Sequence, residues 1–444
     1  MGYRILTKVA IIGGGAAGMM SGIIAARQGL KVTIIEQQGK LGRKILSTGN
    51  GRCNFTNEVQ EPFCYRSFNP DFPFAVYKKF PFEQTLEFFK ELGIYPKSRK
   101  GYIYPHSDQA TAVVDTMMME LKRLKVEILL NTYCERITLE KDENRNGLHQ
   151  ALENGQDKTG SRRKFFVFVT DTEDTSTKIN ESSIQADKVI LTTGGKAAPK
   201  LGSDGSGYAL AESFGHHIIP VLPSLVQLKC EESFYKHLGG IRVDGRVSIY
   251  VNGQEVACDI GELQLTNYGI SGIPVFQVSG IVAKELAKGN EVTGYLNFMP
   301  HLSLEELELL LSQRIASNPE KLMGEFLIGL FPKKLSEVMI QLCGMNPREN
   351  VFHIMANDNT MPKRLALQVT KFEAKILGTN SFEHAQVCQG GVDTREIHPD
   401  TMESLLVPGL YFAGEILDVD GICGGYNLQW AWSSGAVVGR NILE

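Results

Sequence analysis

Several stretches of the chain are apolar without a break, among them Val9–Ile12, Val32–Ile35, Val189–Leu191 and Leu410–Ala413. Unbroken apolar runs of this length predict strands buried on both faces, as in a parallel sheet. Between the first two lies Ala16–Gln28, rich in alanine and methionine and closed by Gly29, the pattern of a buried helix with a glycine just past its end. Helical periodicity returns over Asp108–Leu124, where Met117, Met118 and Met119 read as core filler. Strands are predicted at Val126–Leu130, around Glu135–Leu139 and at Lys164–Thr170, with the polar stretch Glu140–Gly160 as an exposed hairpin loop.

A change of character follows Pro220 and Pro223. Residues 224–300 alternate at period two between glycine and Asn/Asp-Gly turns, which predicts antiparallel β structure. Ser303–Cys343 has a helical period, opened by a serine cap with Glu305 and Glu306 behind it. Buried strand and helix then resume at Val407–Ala413 and from about Tyr426 through Asn441. An α/β domain interrupted by an insert is therefore expected. Its parts are residues 1–195 and 386–444, and the insert is 196–385, with a helical portion at about 302–365.

Glycines give this frame its chemistry. Gly13, Gly15 and Gly18 follow the first strand at G-x-G-x-x-G spacing. That spacing allows a tight turn, close approach of backbone to a pyrophosphate, and helix-on-strand packing. Glu36 closes the second strand, where a carboxylate can grip a ribose diol. The basic, glycine- and amide-rich run Lys40–Asn54 then has the composition of a loop around a polar or anionic ligand. Thr193, Gly194 and Gly195 end a further buried strand, which lets backbone approach a ligand a second time. At the far end, Gly414-Glu415 and the segment Gly424-Gly425-Tyr426-Asn427-Leu428-Gln429 open a last helix. One dinucleotide fold needs only the first fingerprint. Glycine-rich segments at both ends point to one long cofactor, FAD, with the last helix's positive end toward the flavin.

The 444 residues carry a net charge of −4, which leaves no basic excess for neutralising phosphates, so no nucleic-acid partner is expected, with only local basic patches left open. No apolar stretch reaches membrane-spanning length and no signal peptide is read, so a cytoplasmic protein is expected. Eight scattered cysteines without a C-x-x-C pair read as reduced thiols, and the nine histidines show no metal-ligand spacing. No metal is expected.

The residues Gly13–Gly18, Gly42-Arg43-Lys44 with Ser47–Asn54, Gly194-Gly195, and Gly414-Glu415 with Gly424–Gln429 together resemble the BaiN-like family of bacterial flavoproteins, also labelled the YhiN or aminoacetone oxidase family of FAD-binding enzymes. The resemblance spans essentially the whole chain. It implies a discontinuous Rossmann-like FAD domain of the glutathione-reductase and fumarate-reductase type, with an inserted β-barrel-like part and a small helical part. By the same resemblance Glu36 holds the adenosine ribose, Lys44 and its neighbours line the cofactor, and Glu415 with the helix at Tyr426 surrounds the flavin end. The candidate cofactor residues are Gly13, Gly15, Ala16, Ala17, Gly18, Glu36, Gln37, Gly42, Arg43, Lys44, Ser47, Asn50, Gly51, Cys53, Asn54, Cys134, Thr193, Gly194, Gly195, Gly414, Glu415, Gly425, Tyr426, Asn427 and Leu428. Gly202–Gly207 and Gly390-Gly391-Val392 are similar to fumarate-reductase-type flavoproteins, a more distant group. There Cys388 stands where such segments often carry threonine.

FAD supplies the electron chemistry and the protein supplies orientation. Without a second strand–G-x-G-x-x-G–helix unit, NAD(P)H enters only as a transient reductant. The expected function is hydride transfer between flavin N5 and a small-molecule substrate, either an amine or an acceptor reduced at the expense of NAD(P)H. A non-catalytic or redox-sensing flavoprotein and an RNA-modifying flavoenzyme are the alternatives. Arg52, Cys53, His106 and Tyr426 lie near the cofactor motifs and are the candidates for catalysis.

Overall fold

The computed structural model describes residues 7–140, 164–172 and 182–443. Apart from Glu140 itself, the expected hairpin loop at Glu140–Gly160 lies outside the described residues. The chain divides into two compact units, Met1–Val221 with Val387–Glu444 and Leu222–Gln386. Among the described residues no helix is long and apolar enough to cross a membrane.

The first unit is built on a five-stranded parallel sheet. Its strands are β1 (Lys8–Ile12), β2 (Lys31–Ile35), β3 (Glu127–Leu129), β7 (Lys188–Leu191) and β8 (Leu410–Phe412), in the order β8-β7-β1-β2-β3. The registers Ile12↔Ile35, Ile12↔Leu191 and Leu191↔Phe412 bring the ends of four strands level, so the loops that follow them meet at one edge. Burial on both faces accounts for the continuous apolar runs: Val9, Ile11, Ile34, Val189, Ile190, Leu410 and Phe412 are at most 3% exposed. Between β3 and β7, a three-stranded antiparallel sheet is formed by β4 (Thr132–Leu139), β5 (Phe165–Asp171) and β6 (Ser182–Ala186). Helix α1 (Ala16–Arg27) follows β1, α2 (Ala110–Arg123) precedes β3, α3 (Ser206–Ser213) follows β7, and α4 (Tyr426–Asn441) closes the chain.

Helices α1 and α4 pack through glycine. A Cβ on Gly435 would lie 2.7 Å from the Ala17 carbonyl oxygen, and one on Gly439 would lie 2.8 Å from the Ile24 Cβ. The contact therefore needs bare backbone at both positions. Gln28 Nε2 donates to the Gly439 carbonyl at the far end of this seam. On its other side α4 presents Gln429, which is fully buried. Its Nε2 donates to Thr85 Oγ1 (2.8 Å) and Ser433 Oγ (2.9 Å), and its Oε1 accepts from Thr56 Oγ1 (2.6 Å). Trp432 Nε1 donates to the Phe55 carbonyl at 2.9 Å. The segment Phe55–Phe89 is thereby tied to the C-terminal helix.

In the second unit six strands close into a barrel: Leu228–Cys230, Gly269–Ser271, Gln254–Thr266, Ile241–Val251, Val292–Asn297 and Phe372–Thr379. Helices Leu304–Ser317, Lys333–Leu342 and Met361–Thr370 accompany it, the first started by the expected cap, with Glu306 N donating to Ser303 Oγ at 3.1 Å. One element departs from expectation. Ile273–Ala287 is a helix inside the span 224–300 that the period-two pattern assigned to β structure. Its β-branched run (Ile273, Val275, Val278, Ile281, Val282) imitates a strand, but Pro274 in its first turn and burial against the barrel favour the helix.

Alanine is a better helix former than glycine by about 1 kcal/mol, so Gly435→Ala would stabilise α4 were it free. Against α1, the added methyl should instead cost about 1–3 kcal/mol. The urea midpoint of the purified protein measures this. An unchanged or raised midpoint would show that the α1–α4 seam does not need the glycine.

Candidate functional site

The loops at the C-terminal ends of β1, β2, β7 and β8 converge on the N-terminus of α1. Gly13 has φ of +101°, and a Cβ there would lie 2.6 Å from the Thr192 carbonyl oxygen, so only glycine fits. Thr192 Oγ1 donates to the Gly13 carbonyl at 2.7 Å and locks the turn. Gly18 serves packing, since a Cβ there would lie 2.0 Å from the Gly13 carbonyl. Gly15 differs. Nothing lies within 4 Å of where its Cβ would be, so the space over the first turn of α1 is open. No side chain caps that turn and no acid stands in it, which leaves its N–H groups and positive dipole end for an anion.

Glu36 is fixed beside this turn. Its Oε2 accepts from Gly14 N at 2.8 Å and its Oε1 from Gln38 N at 2.9 Å. Both oxygens keep a lone pair. Burial pushes the carboxyl above the ordinary range, opposed by the Gly14 and Gln38 N–H groups and by Arg43. A diol donating two hydroxyl hydrogens would favour the ionised form. Cys134, on β4, is buried with its thiol pushed up to about 12, so only its backbone is available to a ligand. Gln37 Nε2 donates to the Gly202 carbonyl at 2.8 Å, and Arg43 pairs with Gln38.

The second cluster surrounds Glu415. Lys44 Nζ lies 2.6 Å from Glu415 Oε2, and Glu415 Oε1 accepts from Cys388 N at 2.9 Å. Gly195 sits against this group, where a Cβ would lie 3.3 Å from Glu415 Cγ and from the Tyr208 hydroxyl. Gly414 N donates to Ser434 Oγ (2.9 Å) and Trp430 Nε1 donates to the Gly414 carbonyl (3.0 Å), so α4 holds the turn carrying Glu415.

The third element is the start of α4. Gly425 precedes it with φ of +95°, no side chain caps it and its first turn has no acid. A Cβ on Gly425 would lie 3.0 Å from Asn54 Oδ1, which brings the Ser47–Asn54 loop to this terminus. That loop departs from ordinary backbone, with Gly49, Asn50, Gly51 and Cys53 all at positive φ. Ser47, Asn50 and Gly51 are exposed.

Helices α1 and α4 run in the same direction, since Gly435 faces Ala17 and Gly439 faces Ile24. Tyr426 begins α4 nine residues before Gly435. Ala17 lies one residue inside α1, so at about 1.5 Å per residue the N-terminus of α4 overhangs that of α1 by about 12 Å along the axis. Two uncapped helix ends thus face the same way, one behind the other, with the Lys44–Glu415 pair in the same unit. Three buried polar atoms in these walls have no hydrogen-bond partner: Asn54 Oδ1, Thr193 Oγ1 and Tyr208 OH. Orphaned buried groups are costly, and a polar ligand would satisfy them. The residues fit a dinucleotide with a long polar middle, as FAD has.

Several expectations change. Cys53 is fully buried with its thiol pushed up to about 12 by burial, which leaves it neutral and unsuited to catalysis. His106 is exposed and packs on the Tyr95 ring at 5.8 Å. Arg52 is exposed over the Tyr104 ring at 5.9 Å. Tyr426 is 5% exposed, edge-on to the Tyr65 ring at 6.0 Å, with its hydroxyl held protonated by burial and by Cys64. Asn427 spends its side chain on the loop, Oδ1 accepting from Gly421 N and Nδ2 donating to the Gly421 carbonyl, both at 2.8 Å. Leu428 is partly buried in the core of the unit. Asp418 and Asp420, in the loop before α4, are buried: Asp418 Oδ2 accepts from Phe68 N at 2.6 Å and Asp420 pairs with Arg66 at 3.8 Å. Thr192, Tyr208 and Ser434 were not singled out by the sequence, because single hydroxyls far apart in the chain carry no spacing signal.

The family model described as HI0933-like protein Rossmann domain matches residues 7–441. The chain belongs to this family. A 3-dehydro-bile acid delta(4,6)-reductase of Clostridium scindens is 42% identical over 441 residues, covering 99% of this chain and 100% of the relative. Two ribosomal RNA dihydrouridine synthases are more distant. That of Escherichia coli is 30% identical, covering 98% of this chain and 97% of the relative, and that of Haemophilus influenzae is 31% identical, covering 96% and 95%. The resemblance to BaiN-like flavoproteins is borne out, and the chain is an FAD-dependent oxidoreductase.

The Glu36 environment gives a pH signature. Because its folded pKa is raised, Glu36 contributes stability to the cofactor-free protein that is fully present below the unfolded value near 4.5. That contribution is lost as pH rises through the folded value. Urea midpoints of cofactor-free wild type and Glu36→Gln between pH 4 and 7 should therefore move in the variant's favour as pH rises. At pH 7 the variant should bind FAD about 10–100-fold more weakly, from loss of a charge-assisted diol contact. A pH-independent gap, or unchanged FAD affinity, would count against this role.

Proposed function

We propose that this chain saturates a carbon–carbon double bond conjugated with a carbonyl group, using FAD held along the α1 and α4 termini. The single observation that carries the cofactor site is the pair of co-directional, uncapped helix ends offset by about 12 Å along the axis. In this reading the first turn of α1, with Gly13, Gly15, Ala16, Ala17 and Gly18, receives the pyrophosphate. Glu36 takes the ribose diol. Gln37, Gly42, Arg43 and the backbone at Cys134 flank the adenosine end. Lys44, Thr193, Gly194, Gly195, Gly414 and Glu415 line the middle. Ser47, Asn50, Gly51, Asn54, Gly425 and the first turn of α4 surround the flavin end.

When bound, FAD supplies a hydride once a transient NAD(P)H has reduced it. The chain's own part is positioning and charge. The Lys44 ammonium offsets the Glu415 carboxylate, so that a polar middle can be held without an unpaired charge. The α4 terminus offers N–H groups wherever negative charge collects at the flavin end.

The substrate class rests on chemistry shared by the relatives. A delta(4,6)-reductase acting on a 3-dehydro compound and a synthase of dihydrouridine both hydrogenate an alkene conjugated with a carbonyl. The 42% relative favours a small polycyclic enone as substrate. A uracil ring in ribosomal RNA is the second reading, favoured by the basic hairpin Pro96–Pro105 beside the Ser47–Asn54 loop.

Anaerobic incubation of FAD-loaded protein with NADH or NADPH and a 3-oxo-4,6-diene steroid should bleach the dienone absorbance and add two hydrogens to the product mass. Lys44→Met should slow turnover by about tenfold or more, by leaving Glu415 unpaired. A flavin that is reduced but passes hydrogen to neither the dienone nor a uracil-containing RNA would overturn the reading.

A further inference from the structure

His216 follows α3 and its side chain is 0% exposed. Its Nε2 lies 2.8 Å from Ser404 Oγ and its Nδ1 lies 3.0 Å from Glu396 Oε2. Serine, histidine and carboxylate in this order are the parts of a hydrolytic triad. The hydroxyl rules out that use. Ser404 Oγ accepts from Leu406 N at 3.0 Å and from Val407 N at 2.9 Å, so both of its lone pairs are taken. Ser404 is also buried. The group is a tie between segments, not a nucleophile.

The same bonds decide where the ring carries its hydrogen. Ser404 Oγ has only its own hydrogen left to give, and Nε2 accepts it. The ring hydrogen therefore sits on Nδ1 and is donated to Glu396, a tautomer assigned from the network. A second proton on Nε2 would face an oxygen with no lone pair to offer. The ring can take that proton only if Leu406 and Val407 let go of Ser404.

This tie stands behind Glu415. Ser404 N donates to the Leu410 carbonyl at 2.8 Å and Leu405 N to the Glu396 carbonyl at 2.8 Å, which fastens the 404–407 turn to β8. The His216 ring meets that of Phe412, the last residue of β8, edge-on at 4.7 Å. On the other side Asp393 N donates to the His217 carbonyl at 2.9 Å. Asp393 directly follows the strand Val387–Val392, in which Cys388 N donates to Glu415 Oε1 and Val392 N donates to the Ile416 carbonyl. Both segments that hold the Glu415 turn thus end on the histidine pair.

The charges around the ring are few and mostly engaged. Exposed His217 shares Glu396, its Nδ1 on Oε1 and its backbone N–H on Oε2. Arg395 is spent on Asp393, and Glu403 Oε1 accepts from Gly409 N at 2.6 Å. His398 faces Asp400 at 4.0 Å, Lys188 lies over the Tyr411 ring, and Glu212 of α3 is exposed. Burial lowers the proton affinity of His216 below its ordinary value near 6.5, opposed by Glu396, whereas Glu396 raises that of His217.

We propose that His216 is a positioning residue for the oxidoreductase: its neutral ring ties the 393–396 turn to the 404–407 turn and so holds Glu415 for the cofactor, and a proton on the ring opens the tie. This rests on the placement of FAD along Glu415 proposed above.

The test follows FAD release from the loaded full-length protein by flavin fluorescence between about pH 5 and 8, beside nitrogen-15 spectra of histidine-labelled protein. At pH 7.5 the ring whose N–H exchanges slowest should be protonated on Nδ1 alone. The stability contributed by neutral His216 is present above the ordinary value near 6.5 and is lost as pH falls below it. Release should therefore quicken about tenfold or more from pH 7 to pH 5. His217 runs the other way, contributing below 6.5 and losing that contribution as pH rises, so His217→Gln should steepen the step. His216→Gln, which has no titrating ring, should lose the step although Glu36 is still present. Glu396→Gln keeps an acceptor for Nδ1 but not the charge that favours the imidazolium, and should move the step to lower pH. A ring protonated on Nε2 at pH 7.5, a step that survives in His216→Gln, or one that stays in place in Glu396→Gln would each overturn the proposal. Glu415→Gln separates it from the reading it rests on. Unchanged FAD release by that variant at pH 7.5 rejects the placement of FAD at Glu415, whereas altered release there without a His216-dependent step rejects the positioning role alone.

Discussion

Everything in the candidate site depends on the close parallel approach of the first and last helices of the first unit. Gly435 and Gly439 let α4 lie against the backbone of Ala17 and Ser21, and a single methyl at either place would overlap α1. That approach sets the direction of both helices and the offset of their N-termini. The site is then a consequence of registration: two ends, each with unsatisfied N–H groups and a positive dipole, fixed at a spacing a dinucleotide can bridge. Helix ends left uncapped are a standing cost to the fold. They persist here because Gln429, Trp430 and Ser434 anchor α4 from its own side chains, so its first turn does not have to carry its stability.

The same logic divides the residues of the C-terminal segment. Gly425 sets bare backbone against the Thr56 carbonyl at the helix start, whereas Asn427 and Gln429 act through their side chains, one closing the Gly421 turn and the other holding Thr56 and Thr85. A short segment specific enough to mark a family is therefore specific for two reasons at once. Part of it shapes the terminus and part of it ties the terminus down. The buried Asp418 and Asp420 extend this second role to residues 66–68.

Much of this was legible in the chain. The strands of the parallel sheet are buried on both faces, so their apolar runs had no competing reading, and the spacing of Gly13, Gly15 and Gly18 has a separate steric cause at each position. What could not be read was long-range and side-chain specific. The hydroxyls of Thr192, Tyr208 and Ser434 act through partners far away in sequence, and Ile273–Ala287 hid a helix behind β-branched residues that only its packing decides. Proximity in sequence also misled. Cys53 stands in the middle of the loop motif, yet its side chain turns wholly inward.

Net charge is a property of the whole chain and not of any one face. A formal −4 describes the field far from the molecule, but a partner within a Debye length of about 8–10 Å meets only local charge. Here two acid-free segments, 43–57 and 92–107, are joined by strand pairing into one face. The composition of the whole chain averages that face away. Strand pairing also rigidifies it: Asp108 holds Lys97 and Arg99 in place, so less side-chain freedom is lost when an anion arrives. This cluster lies beside the loop at the α4 terminus, in which Arg52 faces the basic sheet while Asn54 faces the helix end.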